Sequence, residues 1–253
     1  MNISSKYVEE AIRILREIEA TQEDKIETVA QLFAASIADD GLVHVYGSGH
    51  SRMGVEEMFP RYGSFPGFHP IIELSTSNYG QVVGANGIYQ SMFLENVEGL
   101  AAQIVRNFKY RPNDVFLLFS TSGAGNVVID MAIEARKLGL KTVGITGVKN
   151  SGLVKAKHST GRKLTDVCDL VIDTCVPVGD AAIWIDGLEY PVGPMSTIAN
   201  SAIVNMIKVR VAELLTLQGK PPLVITGAQV IGDVAAKETF DAVMEEYDRR
   251  SRR

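Results

Sequence analysis

Val43-His44-Val45-Tyr46 runs into Gly47-Ser48-Gly49-His50-Ser51, and later in the chain Val115-Phe116-Leu117-Leu118-Phe119 runs into Ser120-Thr121-Ser122-Gly123-Ala124-Gly125-Asn126. Each is an apolar strand that gives way to small polar residues just before a helical pattern. A strand ending this way exposes backbone N–H groups and hydroxyls, an arrangement that binds anions and phosphate above all. Two such loops at one edge of a parallel sheet would make a site for a small phosphorylated molecule.

Neither loop fits the common nucleotide motifs. Gly47-Ser48-Gly49 supplies the first two glycines of a dinucleotide fingerprint, but Arg52 stands where the third is needed for close helix–strand packing. No Gly-Lys-Ser/Thr follows either loop, so a P-loop is excluded as well.

Outward from the loops the chain alternates strand and helix. Residues 4–38 read as helix, with Tyr7, Val8, Ala11, Ile12, Leu15 and Ile18 at helical spacing and a break or turn expected at 21–24. Strands are expected at 42–46, 70–74, 114–119, 141–146 and 169–173, and helices at 51–61, 88–107, 126–138 and 195–218, with helix or loop over 151–165. Residues 75–87 read as a polar, Gly-rich loop. Residues 181–190 read as a hairpin turning at Asp186-Gly187 in a type I′ turn, and 233–248 as an amphipathic tail. Strands buried on both faces and separated by helices predict a parallel sheet with helices on both sides.

The chain has 253 residues, 46% hydrophobic and 22% charged, with a net charge of -5. That composition suits a globular α/β domain and argues against a nucleic-acid or anionic-membrane partner. No apolar run approaches the roughly 20 residues of a membrane span. No signal peptide is expected from the N-terminal residues, and a cytoplasmic protein is the expectation. The two cysteines, Cys168 and Cys175, suggest neither a disulfide framework nor a metal site. No metal and no organic cofactor is expected.

The set of motifs resembles the SIS (sugar isomerase) domain family. Its Gly-x-Gly-x-Ser and Ser-x-Ser-Gly-x-Thr loops correspond to Gly47-Ser48-Gly49-His50-Ser51 and Ser120-Thr121-Ser122-Gly123-Ala124-Gly125, with Gly125 in place of the family's Thr. Thr142-Val143-Gly144-Ile145-Thr146 and Cys168-Asp169-Leu170-Val171-Ile172-Asp173 are also similar to it. Leu94-Glu95-Asn96-Val97-Glu98-Gly99, Pro177-Val178-Gly179-Asp180-Ala181 and Gly193-Pro194-Met195-Ser196-Thr197 extend the likeness to uncharacterised members of the family. The resemblance implies a single SIS domain over 1–253. Its fold would be a flavodoxin-like three-layer αβα sandwich around a five-stranded parallel sheet, with helical extensions at 1–40 and 195–253. It further implies a phosphorylated sugar as ligand and a homodimer or higher homo-oligomer.

The substrate-binding candidates are Gly47, Ser48, Gly49, His50 and Ser51 in the first loop and Ser120, Thr121, Ser122, Gly123 and Asn126 in the second. Asn126 is equally a good helix N-cap. Four residues are the catalytic candidates. The resemblance implies an acidic residue in the helix after the first loop, where Glu56 and Glu57 stand, and Glu57 is the candidate. Arg52-Met53-Gly54-Val55 is also similar to the loop of the N-acetylmuramic acid 6-phosphate etherases, whose catalytic Glu falls near Pro60 here. Glu95 and Glu98, three apart on helix 88–107, can face the same side. Val97-Glu98-Gly99 resembles an etherase segment near the active site, which singles out Glu98. His158 lies in a basic cluster with Lys155, Lys157, Arg162 and Lys163, beyond the strand at 141–146. Glu189 precedes Gly193-Pro194 with the spacing seen around an active-site Glu in the isomerase domain of glucosamine-6-phosphate synthase. Three functions fit: aldose–ketose isomerisation by a carboxylate proton shuttle, an etherase-like lyase, and a non-catalytic phosphosugar sensor.

Overall fold

The computed structural model describes residues 2–77 and 87–252. Five parallel strands form the main sheet: β1 (Val43–Gly47), β2 (Phe68–Ile71), β3 (Val115–Phe119), β4 (Lys141–Thr146) and β5 (Leu170–Asp173), in the order β2-β1-β3-β4-β5. Alternate residues of each strand point to opposite faces, and both faces are apolar. Val43, Val45, Val115, Leu117, Phe119, Val143 and Ile145 join the core on one side. Tyr46, Phe116 and Leu118 join the core on the other.

The first core is closed by α1 (Ile3–Ala38), α2 (Arg52–Met58) and α9 (Ser196–Leu217), through Ile14, Phe33, Met58, Ile203 and Ile207. The second is closed by α5 (Leu100–Val105), α6 (Asn126–Lys137) and α8 (Leu164–Val167), through Ala101, Ile104, Met131, Ala132 and Leu164. The expected three-layer αβα sandwich is therefore present. Short helices α3 (Leu74–Ser77), α4 (Ile88–Leu94) and α7 (Val148–Leu153) fill the connections, and α10 (Ala228–Ile231) and α11 (Asp233–Ser251) form the C-terminal tail.

Four local expectations are corrected. Helix α1 runs unbroken through 21–24. Gln22 is buried there and its Oε1 accepts the Asp173 N–H at 3.0 Å, so this one polar residue faces the end of β5 while Glu23 and Asp24 stay on the exposed side of the helix. Strand β2 begins and ends earlier than 70–74, and Leu74 starts α3. Pro70 sits within β2 because β2 is an edge strand with an unpaired side. The expected helix 88–107 is divided into α4 and α5, with Gly99 at φ +87° between them. Phe93 and Leu100 keep helical spacing in sequence, but the positive φ of Gly99 turns the chain. The hairpin is longer than read: β6 (Ala181–Ile183) pairs antiparallel with β7 (Val192–Pro194). Leu188 N–H donates to Ile185 O at 3.0 Å, with Gly187 at φ +89°. Asp186 has no positive φ, so the turn is not type I′. The loop expected at 75–87 falls mostly outside the described residues.

Candidate active site

Strands β1 and β3 are neighbours, with Gly47 opposite Phe119. Their following loops therefore emerge side by side at the carboxyl ends of the strands, where open α/β sheets bind ligands. The first loop needs glycine: a Cβ on Gly47 would lie 2.8 Å from Ser51 O. The second needs one too, because Gly123 sits at φ +64° and a Cβ there would lie 2.8 Å from Ser151 Oγ.

Between the loops lies a cleft of about 500 Å³. Ser48, Gly49, His50, Ser51, Ser120, Thr121 and Ser122 line it, as expected. Gly125, Asn150, Gly179, Asp180, Pro194, Ser196, Thr197 and Glu95 complete the wall. Gly47 and Gly123 shape the backbone beneath it.

Two hydroxyl oxygens of the second loop accept backbone N–H groups. Gly123 N–H donates to Ser120 Oγ at 3.1 Å, and Ala124 N–H donates to Ser122 Oγ at 3.3 Å. A hydroxyl that accepts a backbone N–H keeps its own proton for another acceptor. Asn126 is the first residue of α6, not its cap. The cap position is Gly125, and Asn126 Nδ2 donates to Asn96 O at 2.9 Å. Its side chain thus braces the segment after α4 rather than the cleft.

The carboxylate that reaches the cleft beside both loops is Glu95, the last residue before the break between α4 and α5. Ser48 Oγ donates to its Oε2 at 3.1 Å. Burial raises the Glu95 pKa, and the Ser48 hydrogen bond and the charge of Lys157 offset only part of that rise. Asp180 also lines the cleft, but it caps α9: Met195 N–H and Ser196 N–H donate to its Oδ1 at 3.1 and 2.7 Å. Ser196 Oγ donates to its Oδ2 at 2.7 Å. Among the described residues, the lining holds no lysine or arginine. An anion there would be held by hydroxyls, backbone N–H groups and His50.

The four catalytic candidates lie away from this lining. Glu57 joins α2 to α9: Asn205 Nδ2 donates to its Oε1 at 2.7 Å, and Arg61 pairs with its other oxygen. Glu98 accepts Ser159 N–H at 2.7 Å and Ser159 Oγ at 2.5 Å. His158 is buried, with Nε2 2.8 Å from Asp130 Oδ1. Glu189 is exposed and accepts the Tyr190 hydroxyl at 2.7 Å. Of the basic cluster, Lys163 is bonded to Ser151 O, and Lys157 acts on Glu95 through its charge. The sequence offers Glu95 and Glu98 on one side of a continuous helix, and the resemblance at Val97-Glu98-Gly99 singles out Glu98 rather than Glu95. The glycine at 99 is the signal that could have separated them.

Cys168 and Cys175 are both reduced and no disulfide joins them. Burial pushes the Cys168 thiol up to about 12, so it is an unreactive buried thiol. No helix among the described residues is long and apolar enough to cross a membrane.

The comparisons with known proteins agree with this architecture. A protein of the UPF0309 group from Thermoanaerobacter pseudethanolicus is 32% identical over 249 residues, covering 97% of this chain and 97% of that protein. Another from Halalkalibacterium halodurans is 32% identical over 235 residues, covering 93% of each. A phosphoheptose isomerase from Francisella tularensis shares the fold, with a TM-score of 0.53 and 16% identity. That match covers 84% of this chain and all of that one. The model of the SIS domain matches residues 6–147, more than half of the chain, and the protein belongs to the SIS domain family.

Proposed function

We propose that the cleft binds a sugar phosphate and interconverts its aldose and ketose forms, with Glu95 as the proton shuttle. The observation that carries this reading is Glu95 itself. It is a carboxyl with a raised pKa, hydrogen-bonded to Ser48 of one anion loop and opening on the same cleft as the Ser120–Thr121–Ser122 run of the other.

The phosphate would sit against the hydroxyls of Ser120, Thr121 and Ser122 and the donors of the first loop. The open-chain sugar would then extend toward Glu95. As carboxylate, Glu95 takes the proton from the carbon next to the aldehyde, and the bonding electrons form the double bond of an enediolate. The carbonyl oxygen gains the charge and then takes the proton that the neighbouring hydroxyl gives up, so the two oxygens exchange one proton. Glu95 returns its proton to the former carbonyl carbon, and the neighbouring hydroxyl becomes the ketone. A base with a raised pKa is better matched to a weakly acidic carbon than an ordinary carboxylate. His50, on the cleft wall, is in reach of a ring-opening role. The phosphoheptose isomerase that shares the fold supports this only at the level of the fold.

Solvent exchange tests the reading. A thermal-shift screen over aldose and ketose phosphates selects ligands, because selective binding raises stability as ln(1 + [L]/Kd). With a selected ligand in deuterated water, the protein exchanges one carbon-bound proton, and Glu95→Gln suppresses that exchange by roughly 100-fold or more. Tight binding without exchange or turnover overturns the isomerase reading in favour of a phosphosugar sensor.

A further inference from the structure

Residues 95–99 join α4 to α5 and bring Glu95 to the cleft. Much of this segment is held from outside by other parts of the fold. Val127 N–H donates to Glu95 O at 3.1 Å, and Asn126 Nδ2 donates to Asn96 O at 2.9 Å. Gly99 N–H donates to Asp130 Oδ2 at 2.7 Å. Asn126 and Asp130 are four residues apart, so they share one face of α6.

Asp130 is itself braced. Its Oδ1 lies 2.8 Å from His158 Nε2. A carboxylate only accepts, so Nε2–H donates to Asp130, while Nδ1 lies 2.8 Å from the Thr160 hydroxyl and 3.2 Å from Thr160 N. The next residue, Ser159, gives both its N–H and its hydroxyl to Glu98. The same loop is tied to the anion loop, because Leu164 N–H donates to Gly123 O at 2.8 Å. Glu98, His158 and Asp130 therefore spend their polar atoms on one another, on backbone N–H groups and on the Ser159 and Thr160 hydroxyls, and none of them lines the cleft.

A partly buried carboxylate is better solvated outside its site, and that difference pulls its segment toward water. Short α4 and α5 offer little resistance, since a helix of so few residues is marginal alone. The hydrogen bonds from α6 and from residues 158–159 oppose that pull.

We propose that Asp130, His158 and Glu98 are positioning residues: they clasp segment 95–99 between α6 and the 158–164 loop and so keep Glu95 in the cleft beside Ser48. The proposal rests on the reading of Glu95 as the proton shuttle, but its geometry is testable without turnover.

Glu98→Ala is the first variant, because Glu98 is exposed and its loss spares the core. Asp130→Ala, which removes the partner of both Gly99 and His158, is the second. Hydrogen exchange at residues 95–99 should accelerate by about tenfold in both, with α6 and the strands unchanged. A carboxyl-carbon NMR titration should show Glu95 titrating at lower pH in both variants, as its carboxylate gains water. On a sugar phosphate that the normal protein turns over, kcat should fall about tenfold while KM holds. Glu98→Gln should restore all three readouts, because an amide can still accept the Ser159 N–H and donate to its hydroxyl. Unchanged exchange and unchanged Glu95 titration in Glu98→Ala and Asp130→Ala would overturn the clasp. Failure of the normal protein to turn over any sugar phosphate would overturn the isomerase reading, while exchange and titration would still decide the clasp.

Discussion

Ser48 Oγ donates to Glu95 Oε2 at 3.1 Å, joining the loop after β1 to a carboxylate of the cleft across 47 positions of sequence. That hydrogen bond favours the charged form of Glu95 and holds its pKa down against burial. Removing it in Ser48→Ala should raise the Glu95 pKa further. The base form then needs a higher pH, so the acidic limb of the kcat profile should move toward neutral pH. A limb that stays in place, or moves to lower pH, would separate Ser48 from the titration of the base.

Ser122→Ala should mainly weaken phosphate binding. The hydroxyl accepts Ala124 N–H and retains its own proton for an anion. A hydrogen bond to a charged group contributes about 1.5–3 kcal/mol, which is roughly 10-fold or more in Kd. Calorimetry with a sugar phosphate and with its unphosphorylated parent should show the variant losing its preference between them. Equal affinity of the normal protein for both forms would remove phosphate from the site altogether.

The cleft-lining loops after β1 and β3 were legible in the sequence because small residues after an apolar strand report a local backbone geometry. The sheet was legible for a related reason: Val115 to Phe119 is apolar at every position and Val43 to Tyr46 at all but His44, as suits strands buried on two faces. The base was not. Glu95 and Glu98 differ only in which side of a turn they stand on, and that turn depends on Gly99 and on Asp130 far along the chain. His158 is a catalytic candidate in the sequence because it lies in a basic run beyond β4, but its partners are Asp130 and Thr160. Glu57 looked catalytic through its distance from the first loop, but its direction is set by α9, which follows much later.

Glu57→Gln should accordingly leave solvent exchange of substrate at its normal rate. Its side chain is engaged by Asn205 and Arg61, and its carbonyl accepts the ammonium of buried Lys208 at 2.7 Å. Burial lowers the Lys208 pKa, although the charge of Glu57 opposes that shift. The variant loses that support, so a lower melting temperature at neutral pH is expected with kcat unchanged. A loss of exchange comparable to that of Glu95→Gln would return Glu57 to the mechanism.

Assembly follows from α1 and α9. Helix α9 is apolar around much of its circumference; its Val209 remains 71% exposed, and Ile12 of α1 remains 54% exposed. Two cavities between the helices share Ala202 and Met206, so the apolar groove is continuous. Such a face is expected to be covered by a second copy of the chain. Light scattering at micromolar concentration should give a dimer or a higher oligomer, and Val209→Glu should reduce it to a monomer. A normal protein that is already monomeric would refute the interface.

The C-terminal helix gives a prediction for acid stability. Arg250 is buried, and its Nη1 donates to Ile37 O and Gly41 O at 3.1 Å each. Asp40 accepts from Arg249 at 2.7 Å and pairs with Arg111. The Arg249 hydrogen bond holds the Asp40 carboxyl well below its ordinary value of 3.8, overcoming burial with help from Arg111. A carboxyl whose folded pKa is depressed contributes stability that is complete above its unfolded pKa and is lost as pH falls through the folded one. Asp40→Asn should therefore be less stable than the normal protein at pH 7, and the two should converge as the pH drops below 3.8. Arg250→Ala should cost about 2–3 kcal/mol at pH 7, because two carbonyl oxygens lose a charged donor. Urea unfolding across pH measures both effects. A constant gap between Asp40→Asn and the normal protein down to the lowest pH would show that Asp40 acts through packing and not through its charge.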